Sequence, residues 1–227
     1  MAVPVEQAKA KVYTLPTAFK GESLAVVKRI KKVVDLKVSY LLDGLAANVN
    51  DALFEEMLSI EERDALVCHF NIMRALKTSE VSLYQEFNAN MHMSWVHLVN
   101  RRDRQSPPGA VAEMGPLLQI YGDKSLNRYK VLLEEVRLRF CSLVKQELVF
   151  HPMLPANFYF CFWQATEKFD LTVSERSLLV PLFNRFVMDR FGQILGAVNQ
   201  SLTALNVHVS KSGVYTRNIE LGEPDIS

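Results

Sequence analysis

The sequence predicts an all-α protein, an antiparallel bundle of about six or seven helices. Three observations lead there. Apolar residues recur at helical spacing: Leu126, Tyr129, Leu133, Val136, Phe140 and Leu143 step by 3, 4, 3, 4 and 3, and Phe183, Val187, Phe191, Ile194, Val198 and Leu202 by 4, 4, 3, 4 and 4. Nine glycines and nine prolines in 227 residues are too few for a turn-rich all-β fold. Hydrophobic residues make up 49%, enough for a core without disulfide or metal staples.

Residues 1–20 carry two prolines and no clear period, and read as an N-terminal arm. After Gly21, Val26, Ile30, Val33, Val34 and Leu41 share one helical face, with Lys28, Lys31, Lys32 and Asp35 opposite. Lys37 falls inside the apolar stripe, where its stem can reach outward to solvent. Gly44 is expected to end or bend this helix, and Asn50 or Asp51 to cap a short successor, ALFEEML. Ser59 and Glu62 have the spacing of a capping box ahead of a helix carrying Leu66, Phe70 and Met73. Val81, Tyr84, Phe87, Met91, Trp95 and Leu98 form the next stripe.

Residues 101–116, RRDRQSPPGAVAEMGP, are the clearest break, a connection between two helical halves. The second half opens with the long stripe from Leu126 to Leu143, ended by His151-Pro152 and Pro155. A helix follows from Pro155 to about Lys168. The last helix begins near Ser174, and Pro181 within it predicts either a kink or a later start. The expected organisation is therefore one helical domain over 21–207 and a mobile C-terminal tail over 208–227.

Composition removes several function classes. The formal net charge of +1 supplies no global field toward nucleic acid or anionic lipid. Cys68, Cys141 and Cys161 are odd in number and set among apolar neighbours, as expected of reduced thiols. No stretch approaches a membrane-spanning length of uncharged apolar residues, and the N-terminus lacks the apolar run of a secretory signal. A cytoplasmic location is the expectation.

No catalytic residue, cofactor site or metal site is read from the sequence. The histidines are His69, His92, His97, His151 and His208. His92 and His97 are five apart, not the four that align two ligands on a helix, and no C-x-x-C occurs. Cys161 lies between Phe160 and Phe162, with no base or positive charge beside it to form a thiolate. There is no G-x-S-x-G elbow and no glycine-rich phosphate cradle. The acidic run from Asp51 to Asp64 reads as a solvated helical surface.

Two basic clusters exist, Lys28, Arg29, Lys31 and Lys32 on one helix, and Arg101, Arg102 and Arg104 in the connection. Both could meet phosphates, although neither has aromatics interleaved for base stacking. In NFYFCFWQAT, from Asn157, aromatics point nearly all round a helix. A helix apolar on every side is a buried one, so this stretch reads as core rather than as a ligand box.

The same stretch carries a resemblance. HPMLPANFYFCFWQAT resembles the N-P-x-x-P-x-x-x-C-x-x-F-x-x-A signature of a bacterial family catalogued as domain of unknown function 1631, with Pro152, Pro155, Cys161 or its neighbour, and Ala165 at the family positions and His151 in place of the usual asparagine. Phe183, Leu195, Asn199 and Leu202 fit its following helix, and DALF at 51–54 and FNIMRALK at 70–77 resemble upstream segments. The resemblance covers about residues 39–205 and corresponds to the N-terminal part of longer members. It implies no established activity and no functional residue. The thymidine phosphorylase label sometimes attached to the family finds no phosphate loop here.

The function expected is that of a non-catalytic regulatory or adaptor protein that binds another protein, with a homodimer as one form of partnership. The expected surface is the methionine-bearing helix around Met91, Met93 and Trp95, since methionine-rich faces adapt to partners. The alternative is a nucleic-acid or nucleotide-responsive regulator that uses the basic residues.

Overall fold

A computed structural model describes residues 21–79, 82–100, 115–145 and 147–208. The arm at 1–20, the connection through residue 114 and the tail beyond His208 lie outside the described residues. The described residues form an all-α bundle: α1 (Glu22–Met57), α2 (Arg63–Thr78), α3 (Leu83–Asn100), α4 (Pro116–Arg128), α5 (Lys130–Val144), α6 (Pro155–Thr166), α7 (Val173–Phe186) and α8 (Phe191–Ala204), with one 3-10 turn at Met188–Arg190 between the last two. No described helix is long and apolar enough to cross a membrane.

The aromatic helix α6 is the centre of the bundle. It packs between α3 and α4 and touches α7, while α1 lies across α7 and α8, and α8 also supports α5. The two sequence halves therefore share one core. Phe158, Tyr159 and Phe162 of α6 are fully buried. Phe162 stacks on Phe183 of α7 at 4.1 Å between ring centroids, and Tyr159 meets the same ring edge-on at 5.5 Å. Phe158 meets Phe191 edge-on at 4.8 Å. Offset and edge-to-face pairs of this kind add to the area each ring removes from water.

Helix ends follow local chemistry. Pro155 and Pro116 occupy first-turn positions, where a missing N–H costs nothing. Thr172 and Glu175 cap α7 reciprocally: the Thr172 hydroxyl accepts from the Glu175 amide, and the Glu175 carboxylate accepts from the Thr172 amide. Burial works to raise the Glu175 carboxyl pKa, but bonds from Thr172 and Asn71 together outweigh it and hold that pKa below the usual carboxylate range.

Arg176, one residue on, is buried against the end of α6. It stands over the Trp163 ring at 4.0 Å and donates to the Trp163 carbonyl, the Thr166 hydroxyl and Glu167. The guanidinium thereby shares with the Thr166 hydroxyl the Trp163 carbonyl in the last turn of α6. Arg176→Met keeps the stem and removes these bonds. Urea unfolding should show a loss of about 2–3 kcal/mol with an unchanged slope, since hydrogen bonds to charged groups are worth about 1.5–3 kcal/mol each; a loss under about 0.5 kcal/mol contradicts this role for Arg176.

Several expected boundaries move. α1 runs unbroken through Gly44, Asn50 and Asp51, because one glycine inside a helix costs only about 1 kcal/mol and the buried Leu41, Leu42 and Leu45 anchor both sides of it. Ser59 does not cap α2: its hydroxyl donates to the Glu56 carbonyl, and Glu62 stands at the N-cap without a side-chain bond. The buried face of α2 is His69, Ile72 and Ala75, whereas Phe70 is exposed. The stripe from Leu126 to Leu143 is divided at Tyr129, which leaves the helical region between α4 and α5. There Gly192 matters, since a Cβ on it would lie 3.1 Å from the Tyr129 ring. That ring is held by its hydroxyl, 2.9 Å from the carbonyls of both Met188 and Asp189. The last stripe is likewise two helices, broken at Val187–Arg190 rather than at Pro181, although all six stripe residues are buried.

Candidate functional site

The methionine-bearing surface expected on α3 does not form. Met91 and Trp95 are 2% exposed and belong to the core with Phe87 and Leu98; only Met93, on the opposite side of the helix, is exposed, at 63%. The physical reason is the stripe itself. Residues four apart lie on one side of a helix, so Met91 and Trp95 follow Phe87 inward against α6 while Met93 turns out.

Behind Met91 lies a satisfied polar cluster. Asn157 on α6 accepts from the Ser94 hydroxyl at 2.8 Å and donates to the Pro152 carbonyl at 3.0 Å, with Met91 Sδ at 3.3 Å from the same amide nitrogen. Asn90 donates to the Cys161 carbonyl. These bonds tie α3 to α6 and to the turn before it. Cys161 sits within the cluster, and burial pushes its thiol up to about 12, against a smaller opposite pull from Ser94. A thiol so protonated is not a nucleophile near neutral pH.

The histidines do not converge. His69 holds its Nδ1 2.8 Å from the Ala65 carbonyl and its Nε2 3.3 Å from Glu56. His92 and His208 are exposed, His97 meets the Phe150 ring edge-on, and His151 is buried beside Phe140. Among the described residues no three His, Cys, Asp or Glu side chains gather as metal ligands would.

A groove of about 300 Å³ opens between α1, the end of α2 and the start of α3. Leu45, Val49, Leu76, Tyr84, Phe162 and Leu179 line it, and its charged lining residues are Asp43 and Lys77. An apolar floor with one acid and one base suits an inserted side chain better than acid–base chemistry, which wants ionisable groups aimed at one point.

Of the basic residues, Lys28, Arg29 and Lys32 project from α1 into solvent, while Lys31 is engaged by Asp35 one turn on. Arg101, Arg102 and Arg104 lie outside the described residues.

The surface feature that the sequence stripes miss is the outer side of α1. Leu36 is 72% exposed, Tyr40 77%, Phe54 55% and Leu58 76%. Single exposed apolar residues are ordinary; here four large ones lie along one side of a helix, in two pairs. Their signal is present in the sequence: Leu36 and Tyr40 are four apart, as are Phe54 and Leu58, and both pairs fall on the arc of Val33.

No family model, no curated protein and no solved structure matches the chain. The resemblance to domain of unknown function 1631 accordingly rests on the residues quoted for it.

Proposed function

We propose that the chain is a cytoplasmic, non-catalytic regulatory or adaptor protein that works by binding protein through the outer face of α1. The observation that carries this is the exposure of Leu36, Tyr40, Phe54 and Leu58 on one side of a helix whose other side is already buried. Apolar area left in water at rest is recovered when a partner covers it. The resemblance quoted above, which would imply a bacterial source, is compatible with such a role and adds no activity to it.

The test is affinity capture from the native cell with the full chain as bait, beside a Leu36→Glu/Tyr40→Glu bait. Proteins retained by the first and lost by the second are the expected result. If the two baits retain the same proteins, α1 is not the working surface.

A second reading has its own observation, the exposed Lys28, Arg29 and Lys32 within five residues of α1. A nucleic-acid-responsive regulator would use them against phosphates, and its affinity would fall steeply as salt rises. A gel-shift series decides. Binding at low salt that weakens steeply between 50 and 200 mM, roughly the range over which counterion release acts, favours this reading; the absence of binding at the lowest salt eliminates it.

A further inference from the structure

α1 is apolar on two sides. Inward it carries Ile30, Val34, Val38, Leu41 and Leu45, all buried. Outward it carries Val33, Leu36, Tyr40, Phe54 and Leu58. At 3.6 residues per turn these outer residues stay within an arc of about 60° over about 38 Å of helix. Midway along it Ala47 lies within the arc and Gly44 at its edge, and a Cβ on Gly44 would meet no atom of the described residues within 4 Å. The centre of this face is therefore open and small, and its two ends are large and apolar.

We propose that this face is the surface of an antiparallel homodimer, with α1 of one chain lying along α1 of a second copy. The inference rests on the interaction reading above and names the partner as the chain itself. The face reads alike from both ends. A two-fold axis between Leu45 and Ala46 sets Val33 against Leu58 of the second copy and Gly44 against Ala47, and brings Leu36 within one residue of the level of Phe54, each contact occurring twice as an isologous interface requires. Small residues at the crossing let the two backbones approach. Tyr40 comes opposite Asp51, whose carboxylate can accept from the phenol.

Charge selects the same occupant and orientation. The first half of α1 holds Lys28, Arg29, Lys31, Lys32 and Lys37 against Glu22 and Asp35. After Lys37 it holds Asp43, Asp51, Glu55 and Glu56 and no lysine or arginine. Glu55 and Glu56 stand in the last turns, where the helix dipole disfavours acids. Among the described residues Glu55 has only a long exposed approach to Arg185, at 3.9 Å. In a second α1 running the other way Lys37 comes to this acidic half, and the reverse at the other end, while Lys28, Arg29, Lys31 and Lys32 reach the level of residues 59–63, just past the end of the partner helix. Lys37 and Glu55 lie on the same flank of the arc, so the same axis brings Lys37 within one residue of the level of Glu55 of the second copy, twice. A parallel arrangement would set like charges side by side along the whole contact.

Sedimentation equilibrium on the full chain tests this. The wild type should be a dimer at micromolar concentration. Leu36→Glu/Tyr40→Glu should weaken association at least 100-fold with an unchanged helical circular dichroism spectrum, since both residues are exposed in the single chain. Lys37→Glu should weaken it several-fold, and Lys37→Glu combined with Glu55→Lys should restore it. Direction is read by cysteine cross-linking under mild oxidation with the wild type as control: Ala47→Cys, near the axis, should cross-link, and Leu36→Cys should not. Cross-linking through both positions indicates a parallel pair and overturns the proposal, as does a wild-type monomer or a dimer indifferent to Leu36→Glu/Tyr40→Glu. A wild-type monomer whose Leu36 and Tyr40 are still needed to capture another protein overturns the second-copy inference alone; a dimer whose capture profile is unchanged by Leu36→Glu/Tyr40→Glu overturns the wider reading of partner binding and leaves the dimer standing.

Discussion

Phe183→Ala is expected to cost about 3–5 kcal/mol, the range for truncating a fully buried aromatic in a core that cannot collapse around the space left. Phe183 has no exposed surface, and its ring is where α3, α6 and α7 meet: stacked on Phe162, edge-on to Tyr159 and tilted against Phe87 at 6.1 Å. Removing it strips contacts from three helices at once. Against a whole-domain stability of about 5–15 kcal/mol, the loss is a large share. Urea unfolding should show a lower midpoint at unchanged slope. Phe160→Ala, on the half-buried side of α6, should cost clearly less. Equal losses at the two positions would mean that α6 is not oriented as described.

The second large effect is a dependence on pH. His151 is buried at the turn before α6, its ring 5.9 Å from that of Phe140, and its Nδ1 has no partner among the described residues. Burial, and then the positive charge of Arg137, pull its pKa from 6.5 down to about 3, against an opposing pull from Glu134. The sign follows from the protons bound. Below pH 6.5 the unfolded chain protonates this ring and the folded chain does not, so unfolding takes up a proton and is favoured as pH falls. The stability is fully present above pH 6.5 and drains away down to about pH 3. The slope is about 1.4 kcal/mol per pH unit, which makes about 3 kcal/mol by pH 4. His151→Leu removes the ring. The difference in unfolding free energy between variant and wild type should therefore swing toward the variant by that slope once pH drops below 6.5; parallel curves from pH 7 to pH 4 would show that the ring titrates alike in both states.

Much of the architecture is legible in the sequence because it depends on side-chain spacing. The runs from Phe87 to Leu98 and from Phe183 to Leu202 are stripes of buried residues, and the all-round aromatics after Asn157 are the centre of the core. Helix ends are less legible because capping is decided by geometry as well as by residue type. Ser59-x-x-Glu62 and Thr172-x-x-Glu175 have the same spacing, yet only the second is a capping box; at the first, α1 extends to Met57 and takes the Ser59 hydroxyl for its own carbonyl. The breaks at Tyr129 and Val187 are tertiary, with Tyr129 bonded to the carbonyls of the 3-10 turn, and no local signal marks them.

The candidate site was harder to see for a different reason. Met91 and Trp95 look like surface recognition residues by type but lie on the stripe that Phe87 carries inward. On α1 the apolar residues fall on two opposite sides, so a search for a single stripe merges them. Val33 and Val34 are adjacent in sequence and face different ways, one toward the outer arc and one into the core.

The working role of the outer face of α1 is tested most directly by hydroxyl-radical footprinting of the full chain, read by mass spectrometry across a dilution series. Oxidation at Leu36, Tyr40, Phe54 and Leu58 should be suppressed at micromolar concentration and return on dilution, while Ile120 and Val131, equally exposed on α4 and α5, oxidise alike throughout. Oxidation of Tyr40 that does not change with concentration, or protection that appears instead at Ile120 and Val131, would contradict it.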